Sequence, residues 1–402
     1  MLNAWGRVGT TMAFAAPAAG GLEWARAAAL AMSAATVLVA TRVARVLGVR
    51  TLALVPVLLW FQPWFHRYAN AVLTEIPFSL VMITACWAGL TSRLAWASAL
   101  FGVLPLIRHE GIAVLGLWIV FLLIQRRPRL IGLAVLPLLA YQTAFALTYD
   151  TAPFAVYFHT KPTTTYGHGS WLHYVVPLAR SIGPVVALLA AAGLVAARHN
   201  RRLLLFVAPF ALYALVEAVI FRFGLFGSGG DVGYLLPLAT AAAVVAVTGV
   251  DRMLAAYRVP AVTVAVSLLV IATAAWALRT SPAHADRAAA PMRQAVHFLQ
   301  NRGADMSAVT ATHVWYFELA HVRLPVGDGL HSPWSHPTRP GRTAPGGLVA
   351  WDCFYSDRFG LRWRRLREAR FHTLARFGRG AVVVLAREGG GARLPASSGC
   401  RR

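Results

Sequence analysis

From Arg26 to Leu278 the chain is a succession of apolar runs separated by short polar breaks. Most are roughly 15 to 20 residues long, and a helix of about 20 apolar residues crosses a bilayer with its backbone hydrogen bonds satisfied internally. Helices of a water-soluble core would need amphipathic partners that this stretch lacks. Ten candidate spans fall near 26–41, 51–64, 76–92, 94–107, 110–125, 130–148, 182–197, 203–221, 233–250 and 260–278. The second, fourth and fifth are short, which predicts tilt or breaks.

After Leu278 the pattern changes. ADRAAAPMRQAVHFLQNRGA has the periodicity of an amphipathic helix. SAVTATH, the stretch 314–319, GLVAWD and AVVVLARE have the character of strands, and LRWRRLREARFHTLARF predicts a basic helix. HSPWSHPTRPGRTAPGG is a Pro/Gly-rich loop. The pattern predicts an α-helical polytopic membrane protein with a small C-terminal α/β extracytoplasmic domain. Four segments follow: 1–25, an outer loop with an interfacial helix; 26–279, the membrane domain; 280–390, the α/β domain; 391–402, a disordered tail.

Arginine orients the spans. Arg42, Arg45 and Arg50 follow the first, Arg93 the third, Arg126, Arg127 and Arg129 the fifth, Arg198, Arg201 and Arg202 the seventh, Arg252 and Arg258 the ninth. Every second junction is thus short, basic and otherwise plain, the cytoplasmic signature. The junctions between hold His66–Glu75, Arg108–Glu110, Tyr149–Arg180 and Arg222–Tyr234, with His, Tyr, Asp, Glu and Gly among the cations. Ten spans in this sense place both ends outside. LNAWGRVGTTMAFAAPAAGGLEW has no basic n-region before a hydrophobic h-region, so a chain starting outside is expected to have lost a preceding span.

Composition sharpens this picture. The chain is 58% hydrophobic and 13% charged, where a soluble protein carries about a quarter charged residues. The net charge of +23 is almost all arginine, Lys161 being the one lysine. No nucleic-acid-binding motif accompanies it, so lipid head groups and lipid phosphates are the expected partners and nucleic acid is not. Cys86, Cys353 and Cys400 show no spacing of a metal site or disulfide framework.

The polar junctions hold the candidate chemistry. In FHRYANAVLTEIPF, residues 65–78, His66, Arg67, Tyr68, Asn70, Thr74 and Glu75 separate two apolar runs. Helix capping by Thr74 and Glu75 and an interfacial belt account for part of this, but not for the contrast with the plain basic junctions. In LIRHEGIAVL, Arg108, His109 and Glu110 are consecutive at membrane depth, costly unless they pair or face a polar cavity. They form either an Arg108–Glu110 pair closing a turn or an anion site with Arg108 as a phosphate-binding fork. The loop 149–180 carries His159, Lys161, Tyr166, His168, Trp171, His173 and Tyr174, suited to stacking on a sugar or lying along head groups. RFGLFGSGGDVGYLLPLA joins glycines to Asp231 and Tyr234, as a flexible turn or a close approach to ligand.

Several stretches, in this order, resemble the polytopic glycosyltransferases of the GT-C class, which include protein mannosyltransferases and aminoarabinose transferases. They are NAWGR at 3–7, YANAVLTEIPFSLVMITA, LIRHEGIAVL, GYLLPLA and LVAWDCFYSDRFG. The resemblance implies transfer of a sugar from a polyprenyl-phosphate carrier on the outer face, with membrane lipids and an acceptor (lipid, glycan or protein) as further partners. With no acidic residue before Glu23 in the first outer loop, Glu75 or Glu110 would have to substitute as the catalytic carboxylate. His66, Arg67, Arg108, His109 and Lys161 would bind the donor phosphate. Tyr68, Tyr166, His168, Asp231 and Tyr234 would bind sugar or acceptor. The family's catalytic acid lies in the first outer loop, whereas here nothing acidic precedes Glu23. No cofactor is evident, and the sequence leaves divalent-metal use open. Two other classes remain: a transporter or flippase for a lipid-linked anion, and a non-catalytic membrane scaffold.

Overall fold

The computed structural model describes residues 7–149, 169–196, 198–225, 230–256, 260–280, 289–311, 316, 319–321, 347–353, 356, 361–387 and 394. The chain divides into two compact units, Met1–Pro282 and Ala283–Arg402.

The first unit is helical. Its described helices are α1 (Val8–Ala19), α2 (Leu22–Val46), α3 (Leu54–Trp60), α4 (Pro63–Tyr68), α5 (Glu75–Leu90), α6 (Leu94–Ile107), α7 (Gly111–Ile124), α8 (Arg129–Tyr149), α9 (Val175–Ile182), α10 (Pro184–Ala196), α11 (Arg201–Phe223), α12 (Leu238–Ala256) and α13 (Pro260–Thr280). By length and composition α2, α8, α11 and α12 can cross a membrane. So can α9 and α10 taken as one span bent by 105° at Gly183. α1, α5, α6 and α7 are shorter apolar helices.

Most of the apolar runs read from the sequence fall on helices; 182–197 is broken at Gly183, 233–250 begins in the 3-10 turn Val232–Leu235, and 51–64 changes most. The run 51–64 is two helices, because Pro63 cannot extend α3 and instead opens α4 from the extended Gln62. The Gln62 side chain donates to the Ala239 carbonyl at 2.9 Å, tying this break to α12. The boundaries of α11 show their causes: the Asn200 side chain accepts from the amides of Arg202 and Leu203, and Gly224 ends the helix at φ 63°.

Small residues set the closest helix approach. A Cβ on Gly193 of α10 would collide with the Val245 carbonyl of α12, and one on Gly249 with the backbone of Gly193. Such contacts let helices pack in lipid without a hydrophobic driving force. Gly193→Val is expected to lower stability by about 1–3 kcal/mol through overpacking, read as a lower melting temperature in detergent.

The second unit holds α14 (Ala289–Asn301), β1 (Thr310–Ala311), β2 (Leu348–Asp352), α15 (Trp363–Glu368), β3 (His372–Phe377) and β4 (Val382–Ala386). The sheet order is β1-β2-β4-β3, parallel between β1 and β2 and antiparallel elsewhere. β4 is central and buried on both faces, so its apolar run is unbroken. Val382 and Val384 pack with Met292, Val296 and Leu299 of α14. Val383 and Leu385 pack with Trp351, Trp363 and Leu366.

Three expectations change here. LRWRRLREARFHTLARF is not one helix: Arg370 adopts φ 61°, ending α15, and His372–Phe377 pairs with β4. Tyr316 and Leu319, in the stretch expected to be a strand, are helical. Cys353 is disulfide-bonded, a pairing that spacing along the chain did not indicate, while Cys86 is a buried free thiol. The Pro/Gly-rich loop and the tail 391–402, apart from Leu394, lie outside the described residues.

Candidate active site

Glu75 stands in the first turn of α5, preceded by Thr74. Arg108, His109 and Glu110 make the turn between α6 and α7. That turn is tight, since a Cβ on Gly111 would press into the Leu104 backbone. Tyr213 and Glu217 lie one helical turn apart on α11, and Tyr234 lies in the 3-10 turn Val232–Leu235 before α12. Side chains from four separate parts of the chain thereby meet at one point.

Arg108 is the centre. Its Nε donates to Glu110 Oε2 at 3.2 Å, and its Nη2 donates to Glu110 Oε1 and to Glu217 Oε1, both at 2.9 Å. Its Nη1 donates to Glu75 Oε1 and, at 3.2 Å, to the Thr74 hydroxyl. The Tyr234 ring lies 5.1 Å from the guanidinium carbon, within cation–π range. Exposure is 1% for Arg108, 5% for Glu75 and for Glu110, and 0% for Glu217. One guanidinium thus serves three carboxylates where water is largely excluded. Charges so placed are tolerated only when paired.

Further groups close the ring. The Tyr213 hydroxyl bonds with Glu217 Oε1 at 3.1 Å and donates to the Tyr234 carbonyl at 2.7 Å. Arg7, just before α1, donates from Nη1 to the Thr74 hydroxyl at 2.7 Å. His109 Nε2 lies 3.5 Å from Glu110 Oε1.

The three carboxylates differ in what they leave open. Glu110 uses both oxygens on Arg108. Glu217 leaves Oε2 without a partner, but that atom is fully buried. Glu75 engages Arg108 through Oε1, and no bond among the described residues takes its Oε2. Glu75 is therefore the carboxylate best placed to accept a proton from an incoming group.

The other sequence candidates fall as follows. His66 stacks on Phe61 at 6.2 Å, and Arg67 lies 5.8 Å from both the Trp64 and the Tyr68 rings. Among the described residues no hydrogen bond or ion pair joins His66 or Arg67 to Arg108. Asp231 caps its own turn, its Oδ1 accepting from the Gly233 amide at 2.7 Å. Lys161, Tyr166 and His168 lie outside the described residues, as does His159. The described end of that loop meets the glycine-rich segment: His173 Nε2 lies 2.8 Å from the Gly230 carbonyl, and its ring lies 4.2 Å from Phe221.

Sequence reasoning missed Glu217, Tyr213 and Arg7. A lone carboxylate within the apolar run 203–221, four residues after a tyrosine, was the available signal, because such a group in a span needs a partner. Among the described residues no group of three or more His, Cys, Asp or Glu is arranged to hold a metal; the carboxylates converge on a guanidinium.

Away from this site the plain junctions also meet. The Arg50 and Thr51 amides donate to Asp251 Oδ1 at 3.0 and 3.1 Å, and the Arg42 and Arg93 guanidinium carbons lie 5.9 and 4.9 Å from the Trp87 ring centre.

No protein-family description matches the sequence, and no curated protein matches it. Among solved structures, the chain is similar to ArnT from Cupriavidus metallidurans bound to undecaprenyl phosphate. The identity is 15%, the match covers 95% of this chain and 87% of that one, and the TM-score is 0.59. With its apolar helices and small C-terminal sheet, the chain has an ArnT-like, GT-C-type membrane fold.

Proposed function

We propose that this protein transfers a sugar from a polyprenyl-phosphate-linked donor to an acceptor at the outer face of the membrane. The observation that carries the reading is the buried ionic cluster on Arg108, where α5, the α6–α7 turn and α11 meet, within a fold shared with a structure holding undecaprenyl phosphate. In this reading Glu75 accepts the proton of the acceptor hydroxyl as that oxygen attacks the sugar's anomeric carbon and the bond to the lipid phosphate breaks. General-base assistance of this kind contributes about 10²–10⁴-fold.

Arg108, with every guanidinium nitrogen committed to protein oxygens, acts as the positioning residue for Glu75 rather than as a free phosphate ligand. Glu110 and Glu217 fix Arg108. The departing phosphate falls to the less buried cations, Arg7 and Arg67, with His66, His109 and Lys161. Binding of the sugar or acceptor is assigned in this reading to Tyr68, Tyr166, His168, Asp231 and Tyr234. The outward direction is supported by the arginine-bearing turns at the far ends of the helices.

Membranes containing the chain, given a polyprenyl-phosphate sugar labelled in the sugar, are expected to release polyprenyl phosphate and pass label to a new product. Membranes with no excess transfer over those lacking the chain would refute the reading.

A further inference from the structure

The ends of α5, α7 and α11 remote from Arg108 carry a second feature. Between them lies an apolar cavity of about 200 Å³, walled by a stack of Phe101, Trp118 and Phe121 with ring centroids 4.7 and 4.9 Å apart. It opens at the flank of the bundle, where the lining residues Val120, Ile124 and Leu205 are 51%, 72% and 52% exposed. In a bilayer that flank faces acyl chains.

The helices that line the cavity, α5, α6, α7 and α11, carry arginine at this end. Arg93 follows α5, Arg126 and Arg127 follow α7, and Arg201 and Arg202 open α11. Among the described residues none of these five is in an ion pair. Arg93 and Arg127 line one shallow pocket together with Ser92 and Trp96, and Trp96 is 70% exposed. No acidic residue lines either pocket. An apolar slot that opens sideways, at the same end of α5 and α7 as two guanidinium groups without an ion pair among the described residues and an exposed indole, has the layout of a lipid with its phosphate at the interface.

We propose that this is a binding site for an anionic phospholipid of the leaflet on the arginine side, with one acyl chain in the Phe101–Trp118–Phe121 slot and the phosphate head group on Arg93 and Arg127. The slot alone would accept any alkyl chain. The arginines supply the selection, because an anionic head group keeps its attraction where a zwitterionic one is internally balanced. The site is independent of the transfer reaction and stands whether or not that reading holds.

The test is lipid retention by the purified full chain, measured by native mass spectrometry after exchange into detergent with phosphatidylglycerol or phosphatidylcholine. Wild type is expected to retain one phosphatidylglycerol per chain in preference to phosphatidylcholine. The double variant Arg93→Gln, Arg127→Gln should weaken phosphatidylglycerol about thirtyfold, two cations' worth of surface attraction, and lose the preference. Val120→Trp, which fills the mouth of the slot, should weaken both lipids. Melting temperatures of the variants serve as the folding control. Equal retention of the two lipids by wild type, unchanged binding in variants that fold, or equal competition by soluble glycerol phosphate would overturn the proposal.

Discussion

Arg108→Ala is expected to destabilise the membrane unit by about 3–5 kcal/mol, the range for removing one partner of a buried ion pair. The reason is what remains: three carboxylates at 0 to 5% exposure, facing one another with no cation between them. Arg108→Lys keeps the charge but not the fork. A single ammonium cannot give Glu110 two donors while reaching Glu75 and Glu217, so a smaller loss is expected. Thermal melts in detergent should rank wild type above Arg108→Lys, and Arg108→Lys above Arg108→Ala. An Arg108→Ala protein that melts with wild type would remove the cluster from any structural role.

Glu75→Gln separates chemistry from stability. The amide is nearly the shape of the carboxylate, and Arg108 retains Glu110 and Glu217, so the melting temperature should change little. Transfer should fall by about 10²–10⁴-fold, because the amide cannot accept the proton. Glu110→Gln, in contrast, should lower stability more than Glu75→Gln does, since Glu110 holds Arg108 through two oxygens. Single-turnover transfer assays beside melts of both variants check this division. Full transfer in Glu75→Gln would pass the role to another carboxylate.

Much of this architecture was legible from residue order. Long runs without charge leave a chain few choices in lipid, and the plain arginine turns contrast with junctions holding Glu75 and Arg108–Glu110. That Arg108 pairs with Glu110 was readable from adjacency. That Glu75 joins them was not, because the contact joins α5 to the α6–α7 turn, 33 positions apart. Glu217 was passed over because a single carboxylate scarcely alters the hydropathy of a span, although its cost in lipid marks it. In the second unit, HTLARF fits a basic helix by local pattern, and only pairing with β4 makes it a strand. The disulfide at Cys353 depends on distance in space, which spacing does not reveal.

Beneath both expected results lies a claim about place: the Arg108 cluster opens outward, and the arginine turns face inward. It can be measured with single cysteines at Asp231, beside the cluster, and at Ala95, in the α5–α6 turn region, each exposed and each in a chain with Cys86, Cys353 and Cys400 replaced by Ala. A membrane-impermeant maleimide should label Asp231→Cys in intact cells and Ala95→Cys only after the membrane is opened. Labelling of both positions from the same side, or of Ala95→Cys alone in intact cells, would contradict the account.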